Sequence, residues 1–447
     1  MLGSDIREVL ETILPEEALA ALIEEAKFQQ RERKCEAVHL VRTTILSASS
    51  GRGGRLAEVM ERYFQSFGGK VARSSFYKWF GGAFEKVMLG IAQRAMSYAL
   101  AQPLDLPGVL GTHVRDWHIV DSTTVQLPNA LIREYPGTGD YAALKVHKRF
   151  SVGVGTTVDY RITAAREHDA AQFAIDESWR GLGALFDLGY ASMERVLECE
   201  RHNVRYVMRL KDGWKPKVVN ITRGTVTSNY IEGTDFDILL EAEVLLLDGH
   251  VIDADVLLGP QRTPARLVGV PTPKGYCFFL TNLEASMAAK SVADLYRIRW
   301  EIELDNKLDK SCCRLDDITA RSGPAARALV HASMIASIIM CLLAHHHRLR
   351  SAPPPKPGTL RTTPPIHVQA LVRTVSAQAS DITRALELRG NKATEFWNAC
   401  AALLNTCTDP NWRSRPSVLD QMRGWTIAPA KKKRAQKPPK VAAASRP

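Results

Sequence analysis

A change of texture near residue 115 constrains this chain more than any other feature. Up to about residue 110 the apolar residues recur at helical spacing, as in Leu10, Ile13, Leu14 and then Leu19, Leu22, Ile23, with Pro15 between the two sets. After that point come short runs rich in β-branched and aromatic residues. WHIVDSTTVQL, HKRFSVGVGTTV and DYRITAA read as three strands, with a turn near Val158–Asp159 joining the last two as a hairpin. HDAAQFAIDESWRGL reads as a helix, GALFDLGY as a strand ending at Asp187, SMERVLECERHN as a helix capped by Ser192, and VRYVMRLK as a strand. The order β-β-β-α-β-α-β predicts an α/β layer on a mixed sheet.

Residues 211–282 break that alternation. VVNITRG, DILLEAEVLLL, VIDADVLLG, ARLVGVPT and CFFLTNL are all strand-like, so this is a β-rich insertion. A long helix is predicted from about Ser291 to Cys312. Next comes an apolar helix, Leu329 to Ala344, too short to span a bilayer and expected in the core. The triple His345–His346–His347 behind it reads as a solvated helix end, since consecutive histidines on a helix diverge. The expected organisation is therefore a helical N-terminal region (1–110) and the first part of the core (111–210). The β-rich insertion (211–282) and the core helices (283–350) follow. A proline-rich linker (351–365), a C-terminal helical region (366–428) and a basic tail (429–447) complete it.

Lys and Arg outnumber Asp and Glu by 59 to 48, a net +11, which favours a polyanionic partner through counterion release. In RLAEVMERYFQSFGGKVARSSFYKWF, two helices around Gly68–Gly69 could form a helix-turn-helix that offers Arg73, Tyr77, Lys78 and Trp79 to DNA. They could equally form a plain αα-hairpin with its aromatic rings turned inward. Eight scattered cysteines without a Cys-x-x-Cys pair argue against a disulfide framework or a zinc site and fit a reducing cytoplasm. The acidic, amphipathic N-terminus lacks the features of a signal peptide.

The predicted helix from 291 carries the chemistry. Tyr296, Arg299, Glu303 and Lys310 fall within an arc of about 60° at ~100° per residue, whereas Asp294, Glu301, Asp305 and Asp309 face the other way. One carboxylate is thus set among a guanidinium, an ammonium and a phenol. That suits a hard cation beside a phosphate, although an i, i+4 surface ion pair would look the same. Two further acids, Asp121 in HIVDSTTV and Asp187 in DLGY, sit on strands. Each alone reads as a strand-end or turn acid. Three carboxylates brought together would repel unless cations joined them, and two Mg²⁺ ions, with Mn²⁺ as a substitute, would relieve that conflict.

At these residues the chain resembles the DDE transposases of bacterial insertion elements, which have a ribonuclease-H-like core. YRIRWEIELDNKLDK matches the signature Tyr-x2-Arg-x3-Glu-x6-Lys at every spacing, DSTTVQLP resembles the first-Asp motif, and DLGY matches the second. KVH (Lys145–His147) and FLTNL (Phe279–Leu283) are also similar to family stretches. The resemblance implies catalytic metal ligands at Asp121, Asp187 and Glu303, and DNA contacts by Tyr296, Arg299, Lys310 and Trp300. Trp214, the tryptophan of the β insertion, would take a base-stacking role. It also implies double-stranded DNA as substrate, cut-and-paste transposition through a hairpin intermediate, a homodimer on DNA, no membrane, and a cytoplasmic, nucleoid-associated protein. Two other readings stay open: an inactive descendant acting as a DNA-binding repressor, and a two-metal nuclease without strand transfer. One departure stands out. Family members usually carry two bulky apolar residues where this chain has Asp305-Asn306.

Overall fold

The structure is a computed structural model describing residues 1–447 except 30–34, 49–54, 212, 225–250, 273–274, 352–360, 362 and 426–447. The expected strand DILLEAEVLLL, most of the linker and the basic tail lie outside the described residues.

One nine-stranded sheet organises the molecule, in the order β3-β2-β1-β4-β5-β9-β8-β7-β6. β1 (Trp117–Leu127), β2 (Ala142–Ser151) and β3 (Thr156–Ala164) are antiparallel neighbours. β4 (Gly183–Phe186) and β5 (Arg205–Arg209) run parallel to β1. This is the α/β mixed sheet expected from the sequence. The β2–β3 hairpin turns earlier than expected, at 152–155, where Gly155 takes φ +79. The β-rich stretch adds to the same sheet. β6 (Lys217–Gly224), β7 (Ile252–Leu258), β8 (Thr263–Thr272) and β9 (Gly275–Thr281) form an antiparallel run, and β9 docks on β5.

Strand alternation sends successive residues to opposite faces. Val120, Ala184, Phe186, Tyr206, Met208 and Leu280 share one core cluster with Val196 and Cys199 of α8 (Met193–Arg201). Ile119, Leu185, Val207, Val268 and Phe279 feed another, with Val292 and Leu295 of α9 (Ala289–Arg297) and Ile302 of α10 (Trp300–Ser311).

Ahead of the sheet, α1 (Gly3–Ile13), α2 (Glu16–Glu25), α3 (Ala37–Leu46), α4 (Arg55–Phe67), α5 (Arg73–Tyr77), α6 (Gly82–Leu100) and the single turn α7 (Gly108–Gly111) make the helical region. The residues just after Gly68–Gly69 form a helix of only five residues. Phe76, Phe80 and Phe84 are buried and in ring contact with their neighbours, so the aromatic residues turn inward as in an αα-hairpin.

α11 (Gly323–Ser351) runs through the middle of this helical core and is followed by α12 (Val368–Ala377), α13 (Ala379–Ala385), α14 (Gly390–Leu404) and α15 (Val418–Met422). It is longer than expected, and long and apolar enough by composition to cross a membrane. Its most apolar 18-residue window is nevertheless wholly buried in protein, which makes it a core helix. The helix also continues through the triple histidine, correcting the solvated-end reading. His345 and His347 are buried and His346 is half-buried, with ring nitrogens on Pro103 O (2.8 Å), Pro364 O (3.4 Å) and Gln102 Oε1 (3.0 Å), respectively.

Two expected helices change form. HDAAQFAIDESWRGL makes two short 3-10 turns, Asp169–Gln172 and Glu177–Trp179. Arg195 takes the carbonyls of Ala170 and Phe173 (3.2 and 2.7 Å), and Asp176 caps Ser178 N, so the backbone partners of a helix are claimed elsewhere. The stretch from 291 to 312 is not one helix. It tightens at Ile298–Arg299, where Ile298 N and Arg299 N bond three residues back to Leu295 O and Tyr296 O.

Candidate active site

The alternation that buries Ile119 and Leu185 on the α9–α10 side puts Asp121 and Asp187, two residues further along, on that same side. β1 and β4 are adjacent and parallel with Val120 opposite Phe186, so the two aspartates emerge side by side. Glu303 faces them from α10. Arg299, at the helix break, joins the acids: its Nη2 donates to Glu303 Oε1 at 2.7 Å and its Nε lies 3.7 Å from Asp187 Oδ1. Asn306 Nδ2 donates to Asp121 Oδ2 at 2.9 Å. All three predicted acids therefore border one polar cluster.

Burial and then the neighbouring Asp187 raise the Asp121 carboxyl above its ordinary value, with Ser122 N–H and Arg299 pulling it back. Burial works against the Arg299 charge, but the Glu303 hydrogen bond and Asp187 outweigh it and leave the guanidinium above its usual value. Arg299 thus serves as the cation among three acids. Among the described residues, no three His, Cys, Asp or Glu side chains group closely enough to hold a metal ion as they stand. The donor chemistry still fits a hard divalent cation, because every candidate ligand offers oxygen and a positive charge is already lodged between them.

Tyr296 ends α9 with its ring against Phe279 (4.9 Å between centroids) and the Arg299 guanidinium 5.8 Å from its centre. Its hydroxyl is buried near the Arg299 guanidinium and makes no hydrogen bond of good geometry among the described residues. Burial, seconded by Asp187 and opposed by Arg299, pushes it up to about 12. Trp300 is 56% exposed. Lys310 lies in the last turn of α10, half-buried, with no ion pair among the described residues. Trp214 sits in the loop after β5, partly buried against the cluster of Phe186, Met208 and Val218.

The residues behind Glu303 were not found from sequence. Lys148 of β2 stands opposite Asp121 in the sheet register, fully buried, and pairs with both Asp305 and Asp309 (2.6 Å) of α10. Thr157 Oγ1 donates to Asp305 at 3.0 Å. The Asp305-Asn306 departure thus exchanges apolar packing for a buried ion cluster on one side and a contact with Asp121 on the other. A charged residue in the middle of the strand HKRFS was the available signal for Lys148. Glu301 turns to the C-terminal region, where burial and then Asp420 push its carboxyl up to about 7 against Ser417, Arg423 and Arg348.

The profile of the family described as "Transposase DDE domain" matches residues 114–339, slightly over half of the 447. The chain belongs to this family. Among curated members, it is 30% identical over 179 residues to the transposase for insertion sequence element IS421 of Escherichia coli, covering 38% of this chain and 44% of that protein. To the transposase for IS231F of Bacillus thuringiensis subsp. israelensis it is 22% identical over 209 residues, covering 46% of this chain and 44% of the relative. With the transposase for IS1151 of Clostridium perfringens it shares 19% over 340 residues, covering 66% and 71%. The first two alignments thus span under half the relatives' length. A piggyBac transposase synaptic complex with hairpin DNA, solved by cryo-electron microscopy, superposes over 89% of this chain and 84% of its own with a TM-score of 0.47 and 10% identity. Family membership implies divalent-metal dependence.

Proposed function

We propose that the protein is a DNA transposase that cuts and rejoins the ends of an insertion element, with Asp121, Asp187 and Glu303 as its metal ligands and Mg²⁺ as the ion. The observation that carries this reading is Arg299, a single guanidinium in contact with Glu303 and beside Asp187, where β4 ends next to Asp121 of β1. Bound divalent cations would supply Lewis acidity and lower the pKa of water or of a DNA 3′-hydroxyl. The protein's own groups would position the DNA. Arg299, once released from the acids, and Lys310 would hold phosphate oxygens by charge-assisted hydrogen bonds. Tyr296, whose high pKa keeps its proton at neutral pH, would donate to the same backbone. Exposed Trp300 would support distorted terminal DNA, and the open part of the half-buried Trp214 ring is the surface on which a base would stack.

In this scheme water first nicks the element end. The freed 3′-hydroxyl then closes a hairpin, which is reopened before strand transfer. Two ends are processed together, so the working form is a dimer on DNA, in a cytoplasmic, nucleoid-associated setting. Regions 1–110 and 366–428 would serve as DNA-binding and supporting helical regions around the core. The test is a cleavage and strand-transfer assay on the inverted repeats that flank the gene, with Mg²⁺. Glu303→Gln should abolish cleavage and leave end binding within a few-fold of wild type. Cleavage by that variant at a near-normal rate would remove Glu303 from the chemistry. End binding without cleavage by the wild-type chain would favour the repressor reading, and cleavage without joined products the nuclease.

A further inference from the structure

The polar face of α10 contains one more group than the metal ligands and phosphate contacts account for. From Arg299 at the helix start, Glu303, Asn306 and Lys310 follow at helical offsets of 4, 7 and 11 residues. All four fall within an arc of about 60°. Asn306 is the neutral member, and it is half satisfied. Its Nδ2 donates to Asp121 Oδ2 at 2.9 Å, while its Oδ1 is buried and accepts no hydrogen bond among the described residues. A buried amide oxygen left unpaired costs on the order of 1–3 kcal/mol, so the position invites a partner that brings positive charge or a proton. The carboxylate beside it fixes the amide's orientation, because the reversed amide would set oxygen against oxygen.

Resting on the reading of Asp121, Asp187 and Glu303 as a cation site, we propose that Asn306 is a fourth oxygen donor of that site. Its N–H holds Asp121, and its carbonyl oxygen faces the cation. Hard divalent ions accept amide oxygens alongside carboxylates. A neutral donor also adds coordination without adding repulsion to three acids that already oppose one another. Asp305 and Asp309 keep this face in place: Lys148 clamps them from β2, the strand paired with β1, so α10 cannot roll and carry Asn306 away from Asp121.

The experiment measures Mn²⁺ binding by calorimetry or water-proton relaxation on the full chain, with and without DNA, in wild type, Asn306→Ala, Asn306→Leu and Asn306→Asp. Thermal unfolding in EDTA confirms that each variant is folded. Asn306→Ala and Asn306→Leu should weaken Mn²⁺ binding about ten- to a hundred-fold, the range for removing a group that supports a metal site. Asn306→Asp, which keeps an oxygen donor, should restore or tighten it. Wild-type affinity in both Asn306→Ala and Asn306→Leu, or an Asn306→Asp variant as weak as Asn306→Ala, would overturn the role of Asn306 alone. A wild-type chain that takes up no Mn²⁺ in either condition would overturn the cation site itself, and this inference with it.

Discussion

Two lysine and arginine positions show what single side chains do here. Lys148 has no access to water, and burial alone would lower its pKa, yet Asp305 and Asp309 raise it well above the ordinary lysine value. Removing it leaves two buried carboxylates without a counter-charge. Lys148→Met should therefore cost about 3–5 kcal/mol by urea denaturation, far more than an exposed pair is worth. Arg299 is different, because its partners are partly open, with Asp187 and Glu303 side chains 44% and 34% exposed. Arg299→Ala should lower the unfolding midpoint in EDTA only modestly, but the rise on adding Mg²⁺ should exceed the wild type's, since an ion would then supply all of the missing charge. Equal rises in the two proteins would show that Arg299 and the cation do not share a place. At this scale the sequence spoke clearly where a residue type was specific to its neighbours. Asp121, Asp187 and Glu303 stood out only together, through the order Asp, Asp, Glu and the signature around Glu303. Alone, each aspartate read as a strand-end or turn acid, whereas Asp121 lies within β1, paired with Lys148. Lys148 did not stand out, and Asn306 did so only as a departure without a role, because their meaning depends on residues about 160 and 185 positions away.

Among the elements, α10 meets the sheet with two adjacent polar rows. Asn306 reaches Asp121 on β1, and Asp305 and Asp309 reach Lys148, the register partner of Asp121 on β2, so these two acids flank the predicted face and do not turn away from it. In the second row the Asp309 carboxyl is pushed up to about 6 by burial and then by Asp305, with Lys148 pulling the other way. Between pH 4 and 6 the folded protein keeps a proton at Asp309 that the unfolded chain has lost. The stability from this group is full below pH 4 and is lost as pH rises through 6. Asp309→Asn stays neutral throughout, so the stability of the variant relative to wild type should increase from pH 4 to 7. The gain should be on the order of 2–3 kcal/mol at most, read from paired thermal melts. A flat difference would place the proton elsewhere in the cluster. Periodicity alone made α9 and α10 look continuous, since both sides of the break keep the same apolar spacing. The break becomes visible only when Tyr296 is seen seated on Phe279 while Arg299 reaches Asp187. The false helix at 168–182 has a similar origin. Its composition is helical, and the guanidinium of Arg195 that claims its carbonyls comes from the next helix.

For the whole molecule, the sheet and the helical mass are held together by α11, whose packing joins the first helices to the last. Ile338 is completely buried in it. Ile338→Ala should cost about 2–5 kcal/mol. Because residues as far apart as Ile6 and Cys407 share that core, circular dichroism and tryptophan fluorescence should report the loss in one common transition. Separate transitions would show that the helical regions melt apart from the sheet. The alternation of texture along the chain was enough to predict the class of fold. It could not tell that β6–β9 would continue the central sheet, because edge pairing depends on which strand is left with free backbone groups once the first five are assembled.

That continuation meets the rest at a narrow seam. β9 and β5 pair over only three positions, Val207 with Thr281, Met208 with Leu280 and Arg209 with Phe279. Phe279, at the end of the seam, is also the floor under the Tyr296 ring. A load taken up by the distal strands would therefore reach the tyrosine through this tilted aromatic pair, alongside the packing of Val268 on α9 and the bonds from Arg266 to the carbonyls of Glu284 and Met287 just ahead of that helix. Grip at the periphery and arrangement at the centre are thus mechanically linked across β8, β9 and α9.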